Sequence, residues 1–95
     1  MLKFTWNSTK AAINSKKHRV AFEEATSVFG DPLEVSISDP DHSEGEYRYI
    51  SIGVSEQGRL LVVSYVEEEA NSIHIISARR ATRGEQKQYE SNIGK

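Results

Sequence analysis

The residues of this sequence that are best suited to chemistry lie in a basic segment near its C-terminal end, residues 79–89. Arg79 and Arg80 follow an apolar run that has the composition of a β-strand, and Arg83 and Lys87 come after them, four residues apart. Guanidinium groups form planar, two-pronged hydrogen bonds with phosphate. A cluster of arginines at the end of a strand is therefore suited to holding a phosphodiester backbone.

The pattern Thr82-Arg83-Gly84-Glu85 is a capping box, which predicts that a helix over residues 83–90 begins directly after the two arginines. Arg83 then lies in the first turn, where the helix dipole disfavours a cation, and it shares one helix face with Lys87. A bound anion would relieve this arrangement. The alternative is an ordinary exposed helix, with one of the preceding arginines paired to an acidic residue.

A polar loop over residues 39–46 is the second candidate site. Its Asp-Pro-Asp pattern is ordinary turn chemistry, and its acidic residues match no recognised ligand spacing, so we expect neither a metal ion nor a cofactor. His42 lies in this loop, where an imidazole that changes charge near neutral pH could exchange protons. His18, at the end of a predicted helix, and His74, on a predicted strand, are more simply explained as structural histidines.

A third candidate is the pair Lys10 and Lys17 on the first predicted helix. The two residues are seven positions apart, or two helical turns, so one face presents both to a backbone phosphate. The simpler alternative is that both lysines are solvated.

The charges are segregated along the chain, although the net charge is only −2 for 95 residues. Residues 1–20 carry five bases and no acid, residues 21–46 carry eight acids and no base, and residues 73–95 carry five bases and two acids. Two basic blocks thus flank an acidic middle. If the two blocks meet in space, they form a basic face for an anionic polymer; otherwise they are ordinary solvated surfaces.

The hydrophobic pattern predicts one α+β domain over residues 1–95. Strands are expected over residues 2–6, 33–38, 47–54, 59–66 and 73–78, and helices over 8–17, 22–29 and 83–90. Four consecutive apolar residues, 60–63, indicate a central strand covered on both faces. The lack of cysteine fits a reducing compartment, and no apolar run approaches the roughly 20 residues that a membrane span needs.

Three blocks of residues, in the right order along nearly the whole chain, resemble the BrnT family of bacterial type II toxins. The first block is Phe4-Thr5-Trp6-Asn7-Ser8-Thr9-Lys10-Ala11 with Asn14, Lys17-His18 and Phe22-Glu23-Glu24-Ala25. The second is Asp39-Pro40-Asp41-His42-Ser43 with Glu46 and Arg48, and the third is Ile76-Ser77-Ala78-Arg79 with Ala81-Thr82, Glu85 and Tyr89. Each block alone is weak, but three in register are specific.

The resemblance implies a fold similar to the RelE-like ribonuclease toxins, with helices packed on a mainly antiparallel sheet and a C-terminal helix. It also implies a metal-independent endoribonuclease that acts in the cytoplasm and inhibits growth and translation. The expected partners are RNA and a cognate BrnA-type antitoxin, whose DNA-binding part would let the complex repress its own operon. Operator DNA would then be contacted only through the antitoxin.

The expected reaction is attack of the ribose 2′-hydroxyl on the adjacent phosphate. Arg48, from a neighbouring strand, and Arg79 would stabilise the charge that develops on the phosphorus oxygens. His42, or else Glu85, would move protons, and Tyr89 would act as a stacking platform or an acid. Glu85 has the alternative role of completing the capping box.

Five further cations complete the predicted site as RNA-binding residues. They are Lys10, Lys17, Arg80, Arg83 and Lys87. The rival hypothesis is a non-catalytic interaction module, which would bind a protein partner through an exposed sheet edge and the basic C-terminal helix.

The sequence departs from the BrnT pattern at helix starts and turns. It has Asn7-Ser8 where the family usually has Asp-Pro, Arg19 where the family has glycine, and Ala21 where the family has a small polar cap. We expect these departures to affect local stability rather than chemistry.

Overall fold

The computed structural model describes residues 2–39, 47–69 and 71–93 and contains one five-stranded sheet with three α-helices. In chain order the elements are β1 (Lys3–Thr5), α1 (Ser8–His18), α2 (Phe22–Thr26), β2 (Val35–Ser38), β3 (Arg48–Val54), β4 (Leu60–Glu68), β5 (Ser72–Arg80) and α3 (Arg83–Ile93). A 3₁₀ turn, Ser27–Gly30, continues α2. The predicted α+β class is confirmed.

The strands lie in the order β1-β5-β4-β3-β2. All neighbours are antiparallel except β1, which runs parallel to β5. The central strand is β4, as its consecutive apolar residues predicted. The strand β5 extends two residues beyond the predicted end, so Arg79 and Arg80 belong to the strand instead of following it.

The back face of the sheet, which we define by Leu61, Val63, Tyr65 and Ala78, carries the main hydrophobic core. The helices α1 and α2 and the 3₁₀ turn pack against it, with Val20, Phe22, Ala25 and Val28 fully buried. This layer forms the larger of the two hydrophobic clusters among the described residues, and its burial supplies the principal driving force for folding.

The opposite surface, the front face, is covered only at one end. Directly paired residues in antiparallel strands point to the same side of a sheet, so the front face bears the side chains of Arg48, Ile50, Ile52, Val62, Ser64, Val66, His74, Ser77 and Arg79. The helix α3 contributes Tyr89, which packs with Ile52 and Val62. Among the described elements, no helix packs against the other half of this face.

The side chain of Asn14 attaches α1 to the outer edge of β5. Its amide oxygen accepts a hydrogen bond from the Ala78 N–H at 3.1 Å, and its amide nitrogen donates to the Ala78 and Val20 carbonyls at 2.8 and 3.0 Å. Asn14 is 7% exposed. It therefore replaces a neighbouring strand at this point and satisfies backbone groups of an otherwise open edge.

The three departures from the family pattern have different structural consequences. Asn7 is an effective cap, since its side-chain oxygen accepts a hydrogen bond from the Lys10 N–H at 3.0 Å. Ala21 precedes α2 without any side-chain cap. Arg19 ends α1 with a φ of 57°, in the left-handed region that favours glycine.

We expect Arg19→Gly to raise the free energy of unfolding by about 0.5–1 kcal/mol, because glycine adopts the left-handed conformation without the Cβ penalty. Urea denaturation at neutral pH measures the change. Arg19→Ala is the matched control: it removes the same charge but retains Cβ, so it should not be stabilised. Equal stability of the two variants would show that backbone strain at this position is negligible.

Candidate functional site

The side chain of Arg79 forms a two-pronged ion pair with Glu85 where β5 passes into α3. Its Nη1 donates to Glu85 Oε1 and its Nη2 donates to Glu85 Oε2, each at 2.8 Å. The guanidinium is 41% exposed and lies on the front face. Its plane and direction are therefore fixed by a carboxylate, which has the same hydrogen-bonding geometry as a phosphate.

Glu85 also completes the predicted capping box. Its Oε1 accepts a hydrogen bond from the Thr82 N–H at 2.9 Å, and its own N–H donates to Thr82 Oγ1 at 3.3 Å. The hydrogen bonds from Arg79, assisted by the Thr82 amide, lower the pKa of Glu85 to about 2. A carboxylate that is so weakly basic is a poor acceptor for a substrate proton, so the structure favours the capping role over the catalytic one.

Arg83 and Lys87 are exposed on the first two turns of α3. The sequence suggested that an anion would relieve the unfavourable position of Arg83. The structure supplies one from within the chain, because the ionised Glu85 lies in the same first turn. These two cations remain available at the surface next to Arg79.

Tyr89 differs from the sequence-based expectation. Its side chain is 6% exposed, and its hydroxyl donates a hydrogen bond to Asp31 Oδ2 at 2.6 Å. Burial, and then the hydrogen bond and charge of Asp31, raise the pKa of Tyr89 to about 12. A ring buried in this way cannot stack on a base, and a phenol with this pKa is a weak acid, so we assign Tyr89 a structural role.

Asp31 is the residue that the sequence reading missed. Its carboxylate accepts hydrogen bonds from the Val54 and Leu33 N–H groups, at 2.8 and 2.9 Å, in addition to that from Tyr89. Burial alone would raise the pKa of Asp31, but these hydrogen bonds outweigh it and lower the pKa. The sequence offers only the pattern Gly30-Asp31-Pro32 as a signal here, and this pattern indicates a helix stop rather than a buried carboxylate.

Arg48 and Arg79 both lie on the front face, but at different positions along β4. The two residues pair with Val66 and Val62 from opposite sides of β4, so they are two strands apart rather than on neighbouring strands. Strand geometry places their Cα atoms about 16 Å apart. The structure therefore does not place the two arginines side by side.

Arg79 and Arg80 point to opposite faces of the sheet, as consecutive strand residues must. On the back-face side, hydrogen bonding from Arg59 lowers the pKa of the buried Glu24, and the charge of Arg80 adds to this effect. Arg80 is therefore separated from the cations of the front face. The structure does not bring it together with the other predicted RNA-binding residues there.

Lys10 and Lys17 line one groove of about 290 Å³ between α1 and β5, together with His18 and Ser77. The structure thus brings the two lysines together, as their spacing predicted. Because the side chain of Ser77 is on the front face, the groove lies next to that face at the outer edge of β5. His42 lies outside the described residues.

In the described part of the chain, no three histidine, aspartate or glutamate side chains lie close enough to share a metal ion. None of the described helices is long and apolar enough to cross a membrane.

A mainly antiparallel sheet whose last strand carries an ion-paired arginine and leads into a C-terminal helix defines a small α+β domain. A family model, described as the ribonuclease toxin BrnT of type II toxin-antitoxin systems, matches residues 6–85. The chain therefore belongs to the BrnT family of ribonuclease toxins, which confirms the resemblance found in the sequence.

A crystal structure supports the same fold. The Brucella abortus ribonuclease toxin BrnT is 19% identical in sequence and aligns with a TM-score of 0.64, over 87% of this chain and all of the Brucella chain. The likeness at this identity concerns the fold. A search of curated proteins gave no match.

We expect the ion pair between Arg79 and Glu85 to make stability depend on pH. The folded-state pKa of Glu85, about 2, lies below the ordinary value of 4.5. Its stabilisation is therefore complete above about pH 5 and is lost as the pH falls toward 2. Because the pair is partly exposed, its contribution at pH 7 should be about 1 kcal/mol or less.

The measurement is the free energy of unfolding of wild type and Glu85→Gln at several pH values between 2 and 7. The difference between the two proteins should shrink below pH 5. The matched control repeats the comparison in an Arg79→Ala background, where most of this pH dependence should disappear. A difference that stays constant between pH 7 and pH 2 would contradict the assigned pKa.

Proposed function

We propose that this protein is a ribonuclease toxin that cleaves RNA in the cytoplasm, inhibits translation and growth, and is neutralised by a BrnA-type antitoxin. Operator DNA would be bound only through the antitoxin. The observation that carries the proposal is the oriented guanidinium of Arg79, at the junction of β5 and α3, in a chain that belongs to a family of ribonuclease toxins.

The carboxylate of Glu85 orients the guanidinium of Arg79 so that it can bind a phosphate. Arginine has five N–H donors. In the structure Glu85 takes one from each Nη atom, and a second from Nη1 is directed to the Arg80 carbonyl at 3.3 Å. The N–H of Nε and one N–H of Nη2 remain for an RNA phosphate. Because the guanidinium of Arg79 is held in one orientation, less entropy is lost when it binds a phosphate. Its fixed charge can then stabilise the transition state.

The reaction we propose uses the 2′-hydroxyl of the substrate as nucleophile. The O2′–P bond forms, the P–O5′ bond breaks, and the products are a cyclic phosphate and a 5′-hydroxyl. The nucleophile is already part of the RNA, so the protein must stabilise negative charge and transfer protons. We therefore propose a mechanism without a metal ion, in which Arg79 or Arg48 contacts the reacting phosphate.

The remaining cations would guide the strand across the front face. Arg83 and Lys87 extend the positive surface beyond Arg79 along α3, and Lys10 and Lys17 extend it around the outer edge of β5. Such contacts to phosphate oxygens are independent of sequence and sensitive to salt. A local basic surface of this kind is compatible with a protein whose net charge is −2.

A non-catalytic interaction module remains the second candidate. One observation favours it: β2 is an edge strand, and its Ile37 is 44% exposed. A partner strand could pair with this edge. Such a module would not need the oriented arginine, so mutation of Arg79 separates the two functions.

We expect Arg79→Ala to reduce both growth arrest and RNA cleavage by at least about tenfold, because the variant loses the oriented guanidinium that holds a phosphate of the RNA. The measurements are growth after induced expression and cleavage of a labelled RNA by purified protein. Circular dichroism must show that the variant is folded.

The matched control is Arg80→Ala. It removes the same charge from the adjacent residue, but on the other face of the sheet, and it should change cleavage less than about threefold. Undiminished toxicity in a folded Arg79→Ala variant would overturn the ribonuclease assignment and favour the interaction module.

A further inference from the structure

The uncovered half of the front face brings a histidine and an arginine to the same level of the sheet. On β4, Val66 pairs with His74 of β5 on one side and with Arg48 of β3 on the other. Two strand spacings separate the Cα atoms of the histidine and the arginine, or about 10 Å. One imidazole and one guanidinium therefore flank a single valine on a partly exposed surface.

An irregularity in β5 places His74 on this face. Residues five positions apart in a regular strand point to opposite sides. Here Ser64 pairs with Ser77 and Tyr65 pairs with Ile75, so Ile76 is an extra residue in the ladder. Because of this bulge, His74 and Arg79 both lie on the front face. Bulges that redirect a side chain in this way are frequent next to active sites.

The imidazole is oriented from the adjacent strand. Its Nδ1 lies 2.8 Å from Thr5 Oγ1, and the Thr5 hydroxyl donates to Glu68 Oε1 over a longer distance, 3.5 Å. We assign the hydroxyl proton of Thr5 to the bond with Glu68, so that the hydroxyl accepts from the ring and the proton of the neutral imidazole lies on Nδ1. Nε2 is then the basic atom, and within the described residues no hydrogen bond occupies it.

The other candidates for proton transfer on this face are poorly suited. The carboxylate of Glu85 is bound to Arg79 and Thr82, and Tyr89 is buried against Ile52. Glu68 reaches the centre only through the Thr5 hydroxyl. In the described part of the front face, His74 is the group with both an accessible position and an available proton-accepting atom.

We propose that His74 is the proton-transfer residue of a catalytic centre on the uncovered half of the front face, with Arg48 as its phosphate-binding residue and Thr5 as a positioning residue. The substrate is an RNA phosphodiester, and the inference rests on the proposed ribonuclease function. Arg79, at the far end of the same face, then holds a second phosphate of the same strand.

Nε2 of neutral His74 takes the proton from the 2′-hydroxyl as the O2′–P bond forms. The P–O5′ bond breaks, and the leaving 5′-oxygen takes a proton from the imidazolium, which returns to its neutral form. Arg48 neutralises charge on the non-bridging oxygens throughout. Among the described residues, the charged groups that face this centre are Lys3 on β1, Glu68 on β4 and Arg48 on β3.

The test is the rate of cleavage of a short labelled RNA by purified wild type and His74→Gln, between pH 5 and pH 9. Glutamine retains a polar group next to Thr5 but cannot titrate. We expect a loss of at least about 100-fold. Imidazoles change charge between about pH 5 and 8, so the variant should also lose any limb of the pH–rate profile in that range.

Binding must be separated from catalysis in the same variant. Affinity for a 2′-O-methyl RNA, which cannot be cleaved, should change less than about threefold in His74→Gln, because the lost step is proton transfer. Glu56→Gln is the matched control. It replaces an exposed titratable side chain in the turn between β3 and β4, outside the proposed binding surface, and it should leave the cleavage rate within about threefold of wild type.

Substitutions of Thr5 test the proposal without changing His74 itself. Thr5→Val removes the hydroxyl that orients the ring and should slow cleavage about tenfold without weakening RNA binding, whereas Thr5→Ser should restore the wild-type rate. A merely structural role of Thr5 would change the thermal stability and not the pH profile. If His74→Gln does not fold, the Thr5 series and the wild-type pH profile decide the question.

Two results have distinct meanings. A folded His74→Gln variant that cleaves within threefold of wild type, with an unchanged pH profile, would overturn the role of His74 and leave the ribonuclease proposal intact. Wild-type protein that cleaves no RNA at any pH between 5 and 9 would overturn the proposed function itself, and the catalytic role of His74 with it.

Discussion

The hydrogen bond from Tyr89 to Asp31 determines where α3 can lie, and the candidate site depends on that position. Among the described side chains of α3, Tyr89 is the one that is buried. Its hydrogen bond to Asp31 and its packing on Ile52 and Val62 attach the helix to the sheet. With α3 held there, its first turn meets the end of β5, and Glu85 reaches Arg79. In this position α3 does not cover the far half of the front face, and none of the other described helices covers it.

This arrangement makes the two faces of the sheet unequal. The back face buries a continuous apolar core under α1 and α2, which stabilises the fold with little help from the other side. The front face is therefore free to carry charged and polar side chains, with Arg48 and His74 at one end and Arg79 at the other. An extended RNA strand that lay along the face would meet Arg48 and His74 at one end and Arg79 at the other. For this reason we assign Arg48 and Arg79 to different phosphates.

The element order, the central position of β4 and the capping box could all be predicted from the sequence, because each depends on local periodicity or cap chemistry. The face of the sheet on which each site residue lies could not be predicted. The extra residue at Ile76 shifts the alternation within β5, and no composition signal marks it. The burial of Tyr89 depends on Asp31, a partner 58 residues away. Strand alternation does predict that Arg79 and Arg80 point to opposite faces of the sheet, once the strand is known to extend through both.

The central claim is that RNA binds along the front face of the sheet. The most direct measurement is a comparison of amide NMR spectra of the full chain with and without a 2′-O-methyl RNA, which cannot be cleaved. The account predicts shifts at front-face positions on β3, β4 and β5 and in the first turn of α3. Shifts confined to the groove on the opposite side, which is lined by Lys16, Arg19 and Arg59, would contradict it.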